Sequence, residues 1–152
     1  KELKIDFFDL DNYIELNEKQ SITNILNEKG EIYFRNIEKK SLNLLLKKKG
    51  KYLISTGGGT PCYSNNIELI KKNGGLKSFY LKSSNTHLTN RLFYEKENRP
   101  LISSIDSKKE LNSFISKHLF ERNFFYNQAD YIINIDKKKT TEILLEIKQK
   151  LT

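Results

Sequence analysis

The 152-residue sequence contains no methionine and no tryptophan, a single cysteine, two prolines and two histidines. One cysteine, Cys62, excludes an internal disulfide and a thiolate metal cluster, so a reducing, cytoplasmic setting is expected. His87 and His118 lie far apart without metal-ligand spacing and are read as surface residues. No apolar run approaches the ~20 residues that a membrane-spanning helix needs, and no membrane partner is expected. The opening residues alternate between charged and apolar, which is not the pattern of a signal peptide. Because methionine is missing even from position 1, we expect the sequence to begin inside a longer gene product. Arginine is the other scarcity. Of 27 basic residues only four are arginine, Arg35, Arg91, Arg99 and Arg122, and the other 23 are lysine. A chain that places positive charge with lysine almost everywhere keeps arginine where the planar guanidinium matters, because only that fork grips a carboxylate or phosphate with two parallel hydrogen bonds.

What remains suits one compact, monomeric domain spanning residues 1–152, with 37% apolar residues and a net charge of +8. The lysines are dispersed, and their dense runs, 47–49 and 137–139, fall where loops meet secondary structure. No nucleic-acid-binding module is recognisable and no nucleic-acid partner is expected; a basic surface equally favours small anions such as nucleotides.

Ile5 to Asp9 reads as a strand followed by a polar turn. A helical pattern runs from Tyr13 to about Leu46, broken near Gln20-Ser21 and at Lys29-Gly30, with Phe34, Ile37 and Leu44 or Leu45 on one face. Lys51 to Ser55 is a second strand, stopped by Thr56-Gly57-Gly58-Gly59. A helix over Ile67 to Lys72 and a strand over Lys77 to Leu81 follow. Ser83 and Ser84 offer N-caps for a helix carrying Leu88, Arg91 and Leu92. The pattern dissolves over 95–107, which reads as an exposed mobile loop, and resumes as a helix from Lys108 to about Asn127. A strand over Tyr131 to Ile135 and a last helix with Ile143, Leu144, Ile147 and Leu151 on one side complete the chain. Strands alternating with helices predict an α/β fold with a parallel sheet, whose active sites form at the carboxyl ends of the strands.

The residues with chemistry fall at those ends. Asp9 and Asp11 can divide labour between a hydrated divalent cation and substrate hydroxyls, and also suit a solvated turn. Arg35 and Glu38, three apart on a helix, share a face, so that Glu38 can hold the guanidinium as a carboxylate receptor with Phe34 as an apolar wall; an ordinary surface ion pair is the other reading. Three successive glycines each lose extra backbone freedom on folding and make sense where backbone approaches a ligand closely or φ is positive. Arg99, inside the 95–107 loop, can reach a phosphoryl group from a closing lid. Arg91 is placed to stack on a base or to lie on a solvated face.

In this order the segments resemble the shikimate kinases, and the resemblance spans the whole chain. Its carriers are Phe7-Phe8-Asp9-Leu10-Asp11 with Ile14-Glu15, Gly30-Glu31 through Phe34-Arg35 to Glu38, Ser55 to Gly59, Arg99-Pro100-Leu101-Ile102, and Glu121-Arg122 with Tyr126 and Ala129-Asp130. The resemblance implies a three-layer P-loop kinase fold and transfer of the ATP γ-phosphoryl group to the 3-hydroxyl of shikimate, a step of chorismate and aromatic amino acid biosynthesis. It assigns Asp11 to the ring hydroxyls as a catalytic and substrate-binding residue, Arg35 and Arg122 to the carboxylate, and Gly57, Gly58 and Gly59 to the site lining. Asp9 would reach Mg²⁺ through water, Arg99 the phosphates as catalytic and ATP-binding residue, and Arg91 the adenine. Arg91 stands one residue further from the lid arginine than the commonest family spacing. The 152 residues contain no Gly-x-x-x-x-Gly-Lys-Ser/Thr phosphate loop. The expectation is therefore a kinase domain lacking its first, central strand and that loop, about 20 to 30 residues by the usual size of such a unit, with Lys1-Glu2-Leu3-Lys4 as the tail of the following helix and with no activity of its own. A non-catalytic relative that binds or regulates, and another small-molecule kinase such as a gluconate or nucleotide kinase, are the competing readings.

Overall fold

The computed structural model describes residues 5–96, 99 and 101–151; the expected helix tail at Lys1 to Lys4 lies outside them. The chain divides between Leu76 and Lys77 into two compact units.

In the first unit, strand β1 (Asp6–Asp9) runs straight into helix α1 (Leu10–Glu18). The polar turn expected after β1 is therefore a helix start: Asp9 is the last strand residue and the N-cap, its Oδ1 accepting the Asn12 N–H at 3.0 Å. Helix α1 ends at Lys19 in the left-handed region (φ 53°), and Ser21 caps helix α2 (Ile22–Leu46). Glu15 ties the two helices by accepting the Ile22 N–H at 2.8 Å. The break expected at Gly30 is present, with φ 80° and ψ 171° inside α2. A Cβ there would meet nothing within 4 Å, so glycine is required by the backbone conformation and not by crowding.

Strand β2 (Tyr52–Ser55) pairs parallel with β1, Asp6 opposite Tyr52 and Asp9 opposite Ser55, so both strands end at one level. A 3-10 turn (Thr60–Cys62) and helix α3 (Asn66–Lys72) follow. The core gathers Leu10, Ile14, Ile25, Phe34, Ile37, Leu42, Leu45 and Leu46. Of the two leucines that fit the helical face, Leu45 is the core residue and Leu44 is 57% exposed.

The second unit pairs strand β3 (Phe79–Lys82) in parallel with β4 (Tyr131–Asn134), in a register that sets Phe79 against Tyr131 and Lys82 against Asn134. Carboxylates clamp both ends of the pair. Asp130 accepts from the Ser78 N–H and hydroxyl, each at 2.8 Å, and these bonds hold its carboxyl below the usual range. Asp136 accepts from the Ser83 hydroxyl at 2.6 Å and the Ser84 N–H at 3.1 Å. Ser83 thus serves the clamp, and Ser84 alone caps helix α4 (Asn85–Tyr94).

Helix α5 (Lys108–Tyr126) packs on α4 through Leu111 and Ile115. Ile102, within the stretch expected to be an exposed loop, is 6% exposed and belongs to this core beside Leu88, Leu92 and Phe93. Lys96 fastens the same stretch by donating to the Ile105 carbonyl at 2.8 Å. The final helix α6 (Thr140–Leu151) half-buries Ile143, Leu144 and Ile147, whereas Leu151, expected on that side, is exposed. Pairing is parallel in both sheets, as an α/β fold of this class requires.

Candidate functional site

The carboxyl ends of β1 and β2 bring five of the sequence-predicted residues together. Asp11 stands in the first turn of α1, Arg35 after the Gly30 break of α2, and Gly57 to Gly59 just past β2. None of the loop glycines has a positive φ, and Gly59 answers to close approach. A Cβ on Gly59 would lie 2.9 Å from Arg35 Nη2 and 3.0 Å from Nη1, although its backbone (φ −79°, ψ −26°) suits any residue. A Cβ on Gly57 would meet the Asp11 carboxylate oxygens at 3.5 and 3.6 Å, an ordinary contact.

Gly59→Ala is therefore expected to push the guanidinium aside and weaken binding of a carboxylate ligand about tenfold or more, while Gly57→Ala changes it about twofold at most. Calorimetric titration of both variants checks this, and equal effects would contradict it.

Arg35 is bound by two carboxylates. Its Nη1 donates to Glu38 Oε2 at 2.9 Å, and Nε and Nη2 donate to Glu31 Oε1 at 3.3 Å. Glu38, 1% exposed, also accepts from the Thr60 hydroxyl at 2.8 Å. Thr60 is fully buried and its carbonyl accepts from the equally buried Asn66 Nδ2 at 2.9 Å. A chain of hydrogen bonds thus runs from α3 through the 3-10 turn to α2, and it pins the guanidinium. Burial works against the charge of Arg35, but the hydrogen bonds and charges of Glu38 and then Glu31 outweigh it and raise its pKa. Three of the five guanidinium N–H groups are engaged, which leaves one on each terminal nitrogen to donate to an anion. The expected Arg35–Glu38 pairing is present, with Glu38 buried and Arg35 partly buried.

Asp11 has the opposite electrostatics. Desolvation first, then the charges of Asp9, Glu38 and Glu15, raise its pKa, with Arg35 only partly offsetting them. A carboxylate that holds its proton more tightly than usual, next to a cationic fork, can accept a proton from an alcohol and orient it.

The rings near Arg35 divide differently from expectation. Phe34 is a core residue whose ring centroid lies 5.0 Å from the guanidinium carbon; Tyr63 lies closer, at 4.0 Å. Thr60, Tyr63 and Asn66 escaped sequence reasoning, since their only cue was proximity to the glycine turn. Gly58 shares the turn, its carbonyl accepting from the Cys62 thiol at 3.8 Å.

The other predicted residues belong to the second unit. Arg91 is exposed in the last turn of α4, where the helix dipole favours a cation. Arg99 is exposed and pairs with Glu95 at 3.7 Å, a contact of small energetic weight because both side chains are half exposed. Arg122 is half-buried on α5 and makes no ion pair among the described residues. Pro100 lies outside the described residues.

Known proteins give this geometry a family. A family model for shikimate kinase matches residues 1–152. The shikimate kinase of Flavobacterium johnsoniae is 42% identical over 144 residues, covering 95% of this chain and 83% of that protein. In the crystal structure of shikimate kinase from Bacteroides thetaiotaomicron, 82% of the solved chain superposes on 97% of this one with TM-score 0.84 and 33% identity. The Acinetobacter baumannii shikimate kinase solved in complex with shikimate matches with TM-score 0.81 and 27% identity, over 98% of this chain and 79% of that one. The fold, the ordered motifs and these matches agree: the chain belongs to the shikimate kinase family.

Proposed function

We propose that residues 1–152 work as a single kinase domain in the ATP-dependent phosphorylation of shikimate at its 3-hydroxyl. The observation that supports this reading most is the convergence of a tightly oriented guanidinium fork, Arg35, and a carboxyl with a raised pKa, Asp11, on one glycine turn. An acceptor with a carboxylate at one end and hydroxyls at the other matches such a pair.

In this reading Arg35 and Arg122 hold the carboxylate, and Gly57, Gly58 and Gly59 let the substrate lie against backbone. Asp11 orients the ring hydroxyls and accepts the proton of the attacking one. The oxygen–phosphorus bond forms as the bond from the γ-phosphorus to the β–γ bridging oxygen breaks, and ADP leaves. Arg99 descends with the 95–107 lid to neutralise charge on the transferring group, and Arg91 stacks on the adenine. Asp9, with its Oδ1 accepting from the Asn12 N–H at the start of α1, would reach Mg²⁺ through water. When bound, Mg²⁺ supplies charge neutralisation on the ATP phosphates. ATP turnover further requires a phosphate loop, a motif that the 152 residues do not contain, so these residues alone are proposed to be inactive.

The test is ADP release by the complete gene product with Mg-ATP and shikimate, against gluconate, nucleoside monophosphates and no acceptor. Strong dependence on shikimate is expected; equal rates with gluconate or a nucleotide, or release indifferent to any acceptor, would overturn the reading. In the same assay Arg99→Ala is expected to lower kcat about 10²–10³-fold while the KM for shikimate stays within about threefold.

A further inference from the structure

Resting on the reading above that Arg35 receives the acceptor's carboxylate, we propose that Tyr63 is a positioning residue for that carboxylate, its ring holding the Arg35 guanidinium in the orientation that presents both remaining N–H groups. The guanidinium carbon lies 4.0 Å from the Tyr63 ring centroid, well inside the range at which a cation is drawn to an aromatic face. Phe34 is further away at 5.0 Å and is committed to the core. Tyr63, 38% exposed, reaches the same guanidinium from outside α2.

The ion pairs do not make the ring redundant. Glu38 fixes Nη1, but the Nε side rests on Glu31 at 3.3 Å, and Glu31 is exposed, so that contact restrains little. Rotation of the guanidinium plane about its Glu38 bond is opposed by a ring lying against it.

The backbone around Tyr63 is built to put the ring there. Tyr63 is extended (φ −115°, ψ 156°) and ends the 3-10 turn. The next two residues, Ser64 (φ 55°) and Asn65 (φ 58°), are both left-handed, a conformation that costs non-glycine residues roughly 1 kcal/mol each. That strain is held by buried anchors on both sides: Thr60 to Glu38, and Asn66, which donates its side-chain amide to the Thr60 carbonyl and its N–H to the Tyr63 carbonyl at 3.0 Å. The Tyr63 hydroxyl makes no hydrogen bond among the described residues, so the ring and not the hydroxyl carries the role.

Tyr63→Leu in the complete gene product is expected to raise the KM and the calorimetric Kd for shikimate about five- to tenfold with kcat within about twofold, and Tyr63→Phe to behave as the parent. A purely structural role would not separate Phe from Leu in this way, nor KM from kcat. Leucine equal to the parent, phenylalanine as weak as leucine, or a loss confined to kcat would overturn the proposal. Should Tyr63→Leu lose its cooperative thermal transition, Tyr63→Met, with a flexible side chain, takes its place in the same comparison. A parent that neither binds nor phosphorylates shikimate would instead defeat the kinase reading, and this shows before any variant is measured.

Discussion

Replacing Arg35 by alanine is expected to weaken shikimate binding by about 2–5 kcal/mol, from some thirtyfold to a few thousandfold, which is the cost of leaving a buried charged group without its partner. The same change strands Glu38, which is 1% exposed and would keep only the Thr60 hydroxyl. Breaking one side of a buried pair costs roughly 3–5 kcal/mol of fold stability, so loss of binding alone would not separate recognition from unfolding. The double variant Arg35→Ala with Glu38→Gln does. Glutamine removes the stranded charge while its carbonyl oxygen can still accept from Thr60, so the thermal midpoint is expected to return toward the parent while shikimate affinity stays lost. Recovery of both together would mean that Arg35 supports the fold and does not hold the substrate.

Asp11→Asn is expected to lower kcat by about 10²–10⁴, the range for removing a general base, with a much smaller change in the KM for shikimate, since the amide still offers hydrogen bonds to hydroxyls. The raised pKa of Asp11 adds two signatures. Proton acceptance needs the ionised form, so activity falls as pH drops through the folded-state pKa, and this acid limb sits above the value for an ordinary carboxylate. For stability the sign is reversed. The folded state holds the Asp11 proton more tightly than the unfolded chain, so ionisation disfavours folding. The contribution of Asp11 to stability therefore decreases as pH rises from the unfolded value of 3.8 through the raised folded value, and the penalty persists above it. Asp11→Asn should consequently melt higher than the parent at neutral pH and lose this part of the acid dependence. A variant with full turnover, or one that melts lower at neutral pH, would contradict the assignment.

Local features were legible in the sequence because they obey short-range rules. The i, i+3 spacing of Arg35 and Glu38 predicts a shared face, and the structure adds that Glu38 is buried and Arg35 partly so. Gly30 reads as a break and is one, because only glycine takes φ 80° readily. The triple glycine reads as a close-approach turn, and the neighbour that needs the space is Arg35, at Gly59.

What escaped reading depends on distant contacts. Thr60 and Asn66 are fully buried polar residues, Thr60 donating to Glu38 on another helix and Asn66 to the Thr60 carbonyl, and no spacing within Thr60 to Asn66 signals it. Tyr63 resembles any loop aromatic until α2 brings Arg35 beneath it. Ile102 sits among charges and serine in the sequence, yet Leu111 and Ile115 bury it. The capping role of Asp9 is hidden in the sequence because a capping aspartate and a turn aspartate use the same local hydrogen bond; only the helix beginning at Leu10 separates them.

The measurement that tests the central claim most directly is a crystal structure of the complete gene product with shikimate. The account predicts the carboxylate within hydrogen-bond distance of both Arg35 terminal nitrogens, the ring beside Gly59, and a ring hydroxyl on Asp11. Shikimate bound elsewhere, or bound with its carboxylate away from Arg35, would contradict it.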